Sequence, residues 1–486
     1  MSTKKCISIC NKFPEKECNP PRCKYVNGQS RKPYCRLSHK YKMSKTNCNV
    51  TRKIKKKDLV ETIRKRIGNK LKSSKLFLNI VCPKSGVCTA FGNHTKELNT
   101  FFKGFTDFQY VKTAIKAIGA VSTNGFVKEI EYDRDGYKAH AVLKSAQNPD
   151  ADNLVYEYLV GIKYINRILH KFPCFVETYG LYFYGSDSKW TIMKGTGPVH
   201  KSNLDNLILQ NNIDYVKACR ESKYAALLIQ HIQKANGIDK MINMEFLKKE
   251  LLYVLFIVYH ALASISKTFT HYDLHDGNVL VYEPVPGKFI EYHYHNIDGS
   301  ITSFFSRYLP KIIDYGRSFY NNGKSNSRKI YDKICSVNEC KPKCGENVGL
   351  GWLNPVPYFG ISSSIKNESH DLRLLNNLKI GIEKIFSVHA IPTENTFVKT
   401  HNILKKIVYG VGITNASDKS YGTDENLTIT ANKIYNVNGA YNQLKKAVES
   451  PDVIAENKTN YTNMANKLGD LHIYEDGRQM KYEHIK

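Results

Sequence analysis

The chain has 486 residues, 42% of them hydrophobic and 11% aromatic, so it can bury a sizeable core, and its length suggests about three domains. With a polar start, Met1 to Lys5, no secretory leader is expected, and the apolar run at 251–265 (LLYVLFIVYHALASI) falls short of the ~20 residues a bilayer needs. A soluble chain with no membrane span is expected. Lys and Arg (72) outnumber Asp and Glu (44) for a net charge of +28, and residues 1–75 alone hold 23 basic against 4 acidic side chains, or +19. That field attracts acidic or phosphate-rich partners (an acidic protein, a nucleic acid or a membrane surface) or serves as a solvated face.

Residues 1–52 read as a basic, loop-rich module with six of the 13 cysteines: Cys6, Cys10, Cys18, Cys23, Cys35 and Cys48. No CxxC pair occurs, which leaves disulfides, a loose metal site with His39 and reduced thiols all open. Residues 53–75 carry a helical stripe, Ile54, Leu59, Val60, Ile63, Ile67 and Leu71, in a basic setting and read as a linker helix. From about residue 76 the texture turns β-like. Residues 75–82 (KLFLNIVC) read as a strand and 82–88 (CPKSGVC) as a turn. Residues 108–118 read as helical. Residues 125–132 (GFVKEIEY) and 137–144 (YKAHAVLK) form strands around an Asp-Arg-Asp-Gly turn. A helix is expected at 152–169, with strands at 174–184 and 189–193. Helices follow at 225–233, 245–266, 371–386 and 440–450, the last stopped by Pro451. Strands first and helices after predict an α+β fold.

The chemistry concentrates at residues 271–278, HYDLHDGN, which follow the apolar helix, and at 311–316, KIIDYG, an apolar strand ending in Asp-Tyr-Gly. Phosphoryl transfer needs an acceptor for a hydroxyl proton and a divalent ion over the phosphate oxygens. Asp273 suits the first role; Asn278, on the same loop, and Asp314, at the strand end, suit the second. Gly316 would let the chain turn away.

At this point the sequence resembles the protein kinases, whose catalytic loop and Asp-Phe-Gly motif match these positions. The resemblance implies a bilobal fold with a β-rich N-lobe over 76–195 and a helical C-lobe over 196–486, behind the basic cysteine-bearing extension. It implies ATP and Mg²⁺ or Mn²⁺ as cofactors, and protein Ser/Thr hydroxyls as acceptors. Ala141-Val142-Leu143-Lys144 stands where V-A-I-K would, so Lys144 is the expected partner of the α- and β-phosphates, and Glu157 in the next helix its ion-pair partner. The phosphate-covering loop corresponds to residues 120–127 (AVSTNGFV): Gly125 and Val127 fit, while Ala120 and Ser122 replace glycines. Met193, in KWTIMKG, would meet adenine. Asp371 would hold the catalytic-loop backbone. His275 stands where Ser/Thr kinases keep a Lys on the γ-phosphate. Tyr272 replaces the Arg that receives an activation-loop phosphate, and no A-P-E follows Asp314, NPVPY (354–358) being the nearest segment. The 36 residues from Asn278 to Asp314 imply an insertion near 283–308.

Over about 75–371 the chain looks like the divergent kinases of large nucleocytoplasmic DNA viruses, the mimivirus-like group, on CPKSGVC, NGFVKEIEY, DNLVYEYLVG, FPCFVETYG and HYDLHDGNVL. That implies a serine/threonine protein kinase of the virion or the host cytoplasm. Three other readings stand beside it: a pseudokinase scaffold, a small-molecule kinase of the aminoglycoside or choline type, and a nucleic-acid-associated factor.

Overall fold

The computed structural model describes residues 23–28, 31–37, 99–118, 125–134, 137–147, 154–334, 366–409 and 432–484. The expected strand at 75–82, its turn and the helical stripe at 53–75 lie outside them. The chain divides into two units, Met1–Asn69 and Lys70–Lys486. In the first, β1 (Cys23–Gly28) and β2 (Arg31–Leu37) form an antiparallel hairpin with Tyr25 opposite Cys35.

The second unit is mixed α/β. Six strands form one antiparallel sheet: β3 (Lys116–Ala117), β4 (Gly125–Arg134), β5 (Tyr137–Ala146), β6 (Thr178–Tyr184), β7 (Leu207–Leu209) and β8 (Ala225–Gln230), in the order β3-β4-β5-β8-β6-β7. Helices α1 (Leu154–Val160) and α2 (Asp187–Lys194) leave it after β5 and β6. Three expectations change here. Residues 225–230 form a central strand, not a helix, because AALLIQ is covered on both faces and carries no period to separate the two. Residues 187–194 form a helix, not a strand: Ser186 caps it by accepting the Lys189 amide, and Asp187 fills its first turn. Residues 108–118 make only a short 3₁₀ turn (Phe108–Tyr110) before running extended, as β-branched Val111, Thr113 and Ile115 favour.

The expected helix at 152–169 is interrupted by a π-turn, Gly161–Ile165. Gly161 lies against β6, where a Cβ would overlap the Thr178 side chain.

Beyond β8 come β9 (Asn236–Gly237) and the buried helix α3 (Leu251–Ile265). The helix expected from 245 breaks at Glu250, whose buried carboxylate accepts hydrogen bonds from Ser306, Arg307 and Tyr461. Short β10 (Phe269–Thr270) leads into the 271–278 loop and β11 (Val279–Tyr282). The expected insertion contains the hairpin β12 (Phe289–His295) and β13 (Ile301–Ser306). β14 (Leu309–Ile312) then pairs with β11, and β15 (Phe319–Tyr320) with β10. Helices α5 (Asn395–Lys405) and α6 (Val437–Val448) pack on α3, and α4 (Arg373–Phe386) and α7 (Pro451–Asn460) pack on α5. Last, β16 (Lys467–Tyr474) and β17 (Lys481–His484) complete a sheet of order β13-β12-β16-β17, with β16 parallel to β12. Among the described residues no helix is long and apolar enough to cross a membrane.

Candidate active site

Lys144 is the centre of the site. It lies directly opposite Val127 across the β4–β5 ladder, so both side chains leave the same face of the sheet. Its ammonium is 2.8 Å from Glu157 Oε2 on α1 and 2.8 Å from Asp314 Oδ1 beyond β14. Burial alone would lower the Lys144 pKa; the Asp314 and Glu157 carboxylates outweigh it and hold the amine protonated well above the ordinary range. Burial likewise pushes Asp314 up, but the Lys144 ammonium, helped by Arg317 and His271, brings it down to about 2. Strand β5, the helix 13 residues on and a loop 170 residues on thus meet through charge.

Asp314 turns toward Lys144 because its backbone is left-handed, φ 67°. The sharp turn expected of Gly316 therefore falls two residues earlier; Gly316 is not left-handed, and a Cβ there would find ordinary contact, 3.6 Å from Glu157 Oε2. The Ile313 amide donates to the Asn278 carbonyl at 3.0 Å, which fixes Asp314 beside the end of the 271–278 loop.

That loop is held by its own backbone. The Asp371 carboxylate, just before α4, accepts the amides of His271 (2.7 Å) and Tyr272 (2.9 Å), in the position the sequence suggested. Burial pushes the Asp371 carboxyl up to about 7, against these two bonds, which favour the ionised form. The clamp supports Tyr272 at φ 64°, with its ring 4.8 Å from that of His370. His271 Nε2 donates to the Ile313 carbonyl (2.9 Å) while Nδ1 accepts the Asp273 amide (3.3 Å), and burial lowers its pKa to about 4, so the ring is neutral.

Asp273 is engaged by two guanidinium groups: Arg373 Nη1 at 2.7 Å from Oδ1 and Arg317 Nη1 at 3.2 Å from Oδ2. The Asn278 side chain donates to the Asp273 carbonyl at 2.9 Å. His275 Nδ1 accepts the Gly277 amide at 3.0 Å, which leaves Nε2 as the ring nitrogen able to donate outward. Carboxylate and amide oxygens from Asp314 and Asn278 are hard donors and fit Mg²⁺ or Mn²⁺ by type.

Met193 is not part of this cluster. It is buried in α2, and the segment just after it lies over the other face of the sheet, where the Gly195 and Gly197 carbonyls accept from Lys128, the strand neighbour that points away from Val127 and Lys144. The strand paired directly with the Lys144 strand is β8, not the one expected at 189–193. Ala120 and Ser122 lie outside the described residues. Gly125 opens β4 where a Cβ would come 2.8 Å from the Ser145 carbonyl oxygen, so close strand approach alone requires a glycine there. Arg317 and Arg373 were missed; the only signals were their positions, one after Asp-Tyr-Gly and two after Asp371.

The sequence matches no protein-family model and no curated protein. The functional reading therefore rests on this geometry and on the motifs.

Proposed function

We propose that the chain is an ATP-dependent phosphotransferase of the bilobal protein-kinase type, acting on Ser or Thr hydroxyls of proteins. The observation that carries this is the Lys144 ammonium held between Glu157 and Asp314 at 2.8 Å from each. A cation fixed at that point, on the face shared with Val127, suits the α- and β-phosphates of a nucleotide. Mg²⁺ or Mn²⁺ held by Asp314 and Asn278 would neutralise the charge on the phosphate oxygens. Asp273 accepts the hydroxyl proton as the acceptor oxygen bonds to the γ-phosphorus and the bond to the ADP oxygen breaks. Arg317 and Arg373 fix both Asp273 oxygens, and His271 and Asp371 fix the backbone that carries it. His275 Nε2 is the donor offered to the γ-phosphate.

By the resemblance already described, the enzyme would be a viral one of the virion or host cytoplasm; by their charge, residues 1–75 would dock an acidic or nucleic-acid partner. A second reading, a nucleotide-binding pseudokinase, is favoured by the engagement of Asp273 with two arginines and by Ala120 and Ser122 in place of glycines. Transfer from γ-labelled ATP with Mg²⁺ or Mn²⁺ to basic and acidic test proteins, beside Asp273→Ala and Asp314→Ala, separates them. Protein labelling by the wild type alone supports the kinase. ATP binding without labelling supports the scaffold, and labelling confined to an aminoglycoside or choline would replace the protein substrate.

A further inference from the structure

A second cluster of ionisable groups lies on the same face of the sheet as Lys144, in a place the phosphotransfer reading does not use. Glu129 is two residues beyond Val127 on β4, His140 is four residues before Lys144 on β5, and His231 follows the last residue of β8. The ladder places Glu129 opposite Val142, and the His231 amide donates to the His140 carbonyl, extending the β5–β8 pairing by one residue. All three side chains thereby converge on one point.

The donor atoms have the spacing of a metal centre. Glu129 Oε1 is 3.2 Å from His140 Nδ1 and 3.4 Å from His231 Nδ1. Zinc bonds of about 2.0–2.1 Å at tetrahedral angles put neighbouring ligand atoms about 3.3–3.4 Å apart. His231 Nδ1 is buried with no hydrogen-bond partner. His140 Nδ1 accepts from Gln233 Nε2 at 3.0 Å, and the same amide donates to Glu129 Oε1 at 2.8 Å. One amide thus serves two of three converging electron-pair donors, and the third meets none. A half-turn of the Gln233 amide presents its oxygen to the same point as a fourth donor. His140 is buried, whereas the side chains of Glu129 and His231 keep about a fifth of their surface exposed, which gives an ion a way in.

We propose that Glu129, His140 and His231 form a site for a borderline divalent cation, Zn²⁺ above all, that fastens β4, β5 and the chain after β8 to one another. Two imidazoles with one carboxylate select zinc-like ions over Mg²⁺ and Ca²⁺, which prefer all-oxygen sets. A comparable trio, Glu291, His293 and Asp470 in the β12–β16 sheet, differs decisively: the Lys467 ammonium already bridges Glu291 and Asp470. The site is independent of ATP chemistry and stands or falls without it.

The test uses the purified full-length protein, stripped with a chelator and titrated with Zn²⁺ in the absence of nucleotide. Metal content is read by elemental analysis and the thermal unfolding midpoint is followed alongside. His231→Asn and Glu129→Gln are the variants, both at partly exposed positions, with far-UV circular dichroism checking their fold. Cysteines elsewhere take up zinc equally in all three proteins, so the readout is the difference between them. The wild type should retain one more equivalent than either variant, bind it on the order of 100-fold more tightly, and show a zinc-dependent rise in midpoint that the variants lose. Equal zinc content in the folded variants and the wild type, or a midpoint that zinc moves equally in all three, would overturn the site.

Discussion

Replacing Lys144 by Met removes the one ammonium between two carboxylates while keeping most of the side-chain volume. Glu157 is only 3% exposed, Asp314 29%. The Lys144 ammonium holds the Asp314 carboxyl below its ordinary 3.8, at about 2, a gap worth on the order of 2 kcal/mol. Adding the buried Glu157 charge brings the expected loss of stability to the range of about 3–5 kcal/mol typical of a broken buried ion pair. The open side of Asp314 lets water replace part of the lost interaction, so the lower end is expected. Because the Asp314 pKa is depressed on folding, its contribution is complete above 3.8 and disappears as pH falls through about 2; the gap between wild type and variant should narrow over that interval. Adding Glu157→Gln to Lys144→Met removes the buried charge and should recover at least about 1 kcal/mol, while phosphoryl transfer stays lost. Urea unfolding at pH 7 and pH 3 measures the first effects, and labelled-ATP transfer the last. A single variant within about 0.5 kcal/mol of wild type, the range of an ordinary surface change, would refute the placement of the ammonium, as would a double variant that recovers nothing.

Asp371→Asn keeps an acceptor for one of the two loop amides but turns an NH₂ toward the other; a loss of about 2–3 kcal/mol is expected in denaturant unfolding, together with a fall in transfer rate. His260, inside α3 against Phe172, Phe256 and Tyr294, is lowered by burial to about 3. Its neutral form supports the fold above pH 6.5 and that support is lost as pH falls toward 3. His260→Phe should therefore flatten the fall of unfolding free energy by about 1.4 kcal/mol per pH unit across that window, seen in urea titrations at pH 7, 5.5 and 4.5. Gly161→Ala drives a methyl into Thr178 and should cost about 1–3 kcal/mol, partly recovered by Thr178→Ala, as thermal unfolding would record.

Several polar residues of the site were legible from their apolar neighbours: Lys144 follows AVL near the end of β5, Asp314 follows KII, and Asp273 and Asn278 lie between α3 and β11. Asp371 was legible by motif order. The strand at 225–230 was not, since burial on both faces erases the alternation that marks a strand. The helix at 187–194 was misread by its hydrophobic content, although Ser186-Asp187 carried a capping signal. Arg317 and Arg373 look like ordinary surface side chains until tertiary packing brings them to Asp273. The β12–β16 pairing has no local signature at all.

That pairing sets a timetable for synthesis. His293 on β12 meets Asp470 on β16 across 177 positions of chain. A ribosome adding ~5–20 residues per second needs roughly 10–35 s to supply the partner strand. Throughout that interval the β12–β13 hairpin has one edge with its amides and carbonyls unsheltered, and behind that edge sit Ile290, Tyr292 and Tyr294, side chains that end up buried. Such an edge invites pairing with a neighbouring nascent chain. Any pause in translation between Ser306 and Lys467 lengthens the exposure, so the yield of native protein should depend more on translation speed over that stretch than on speed anywhere before it.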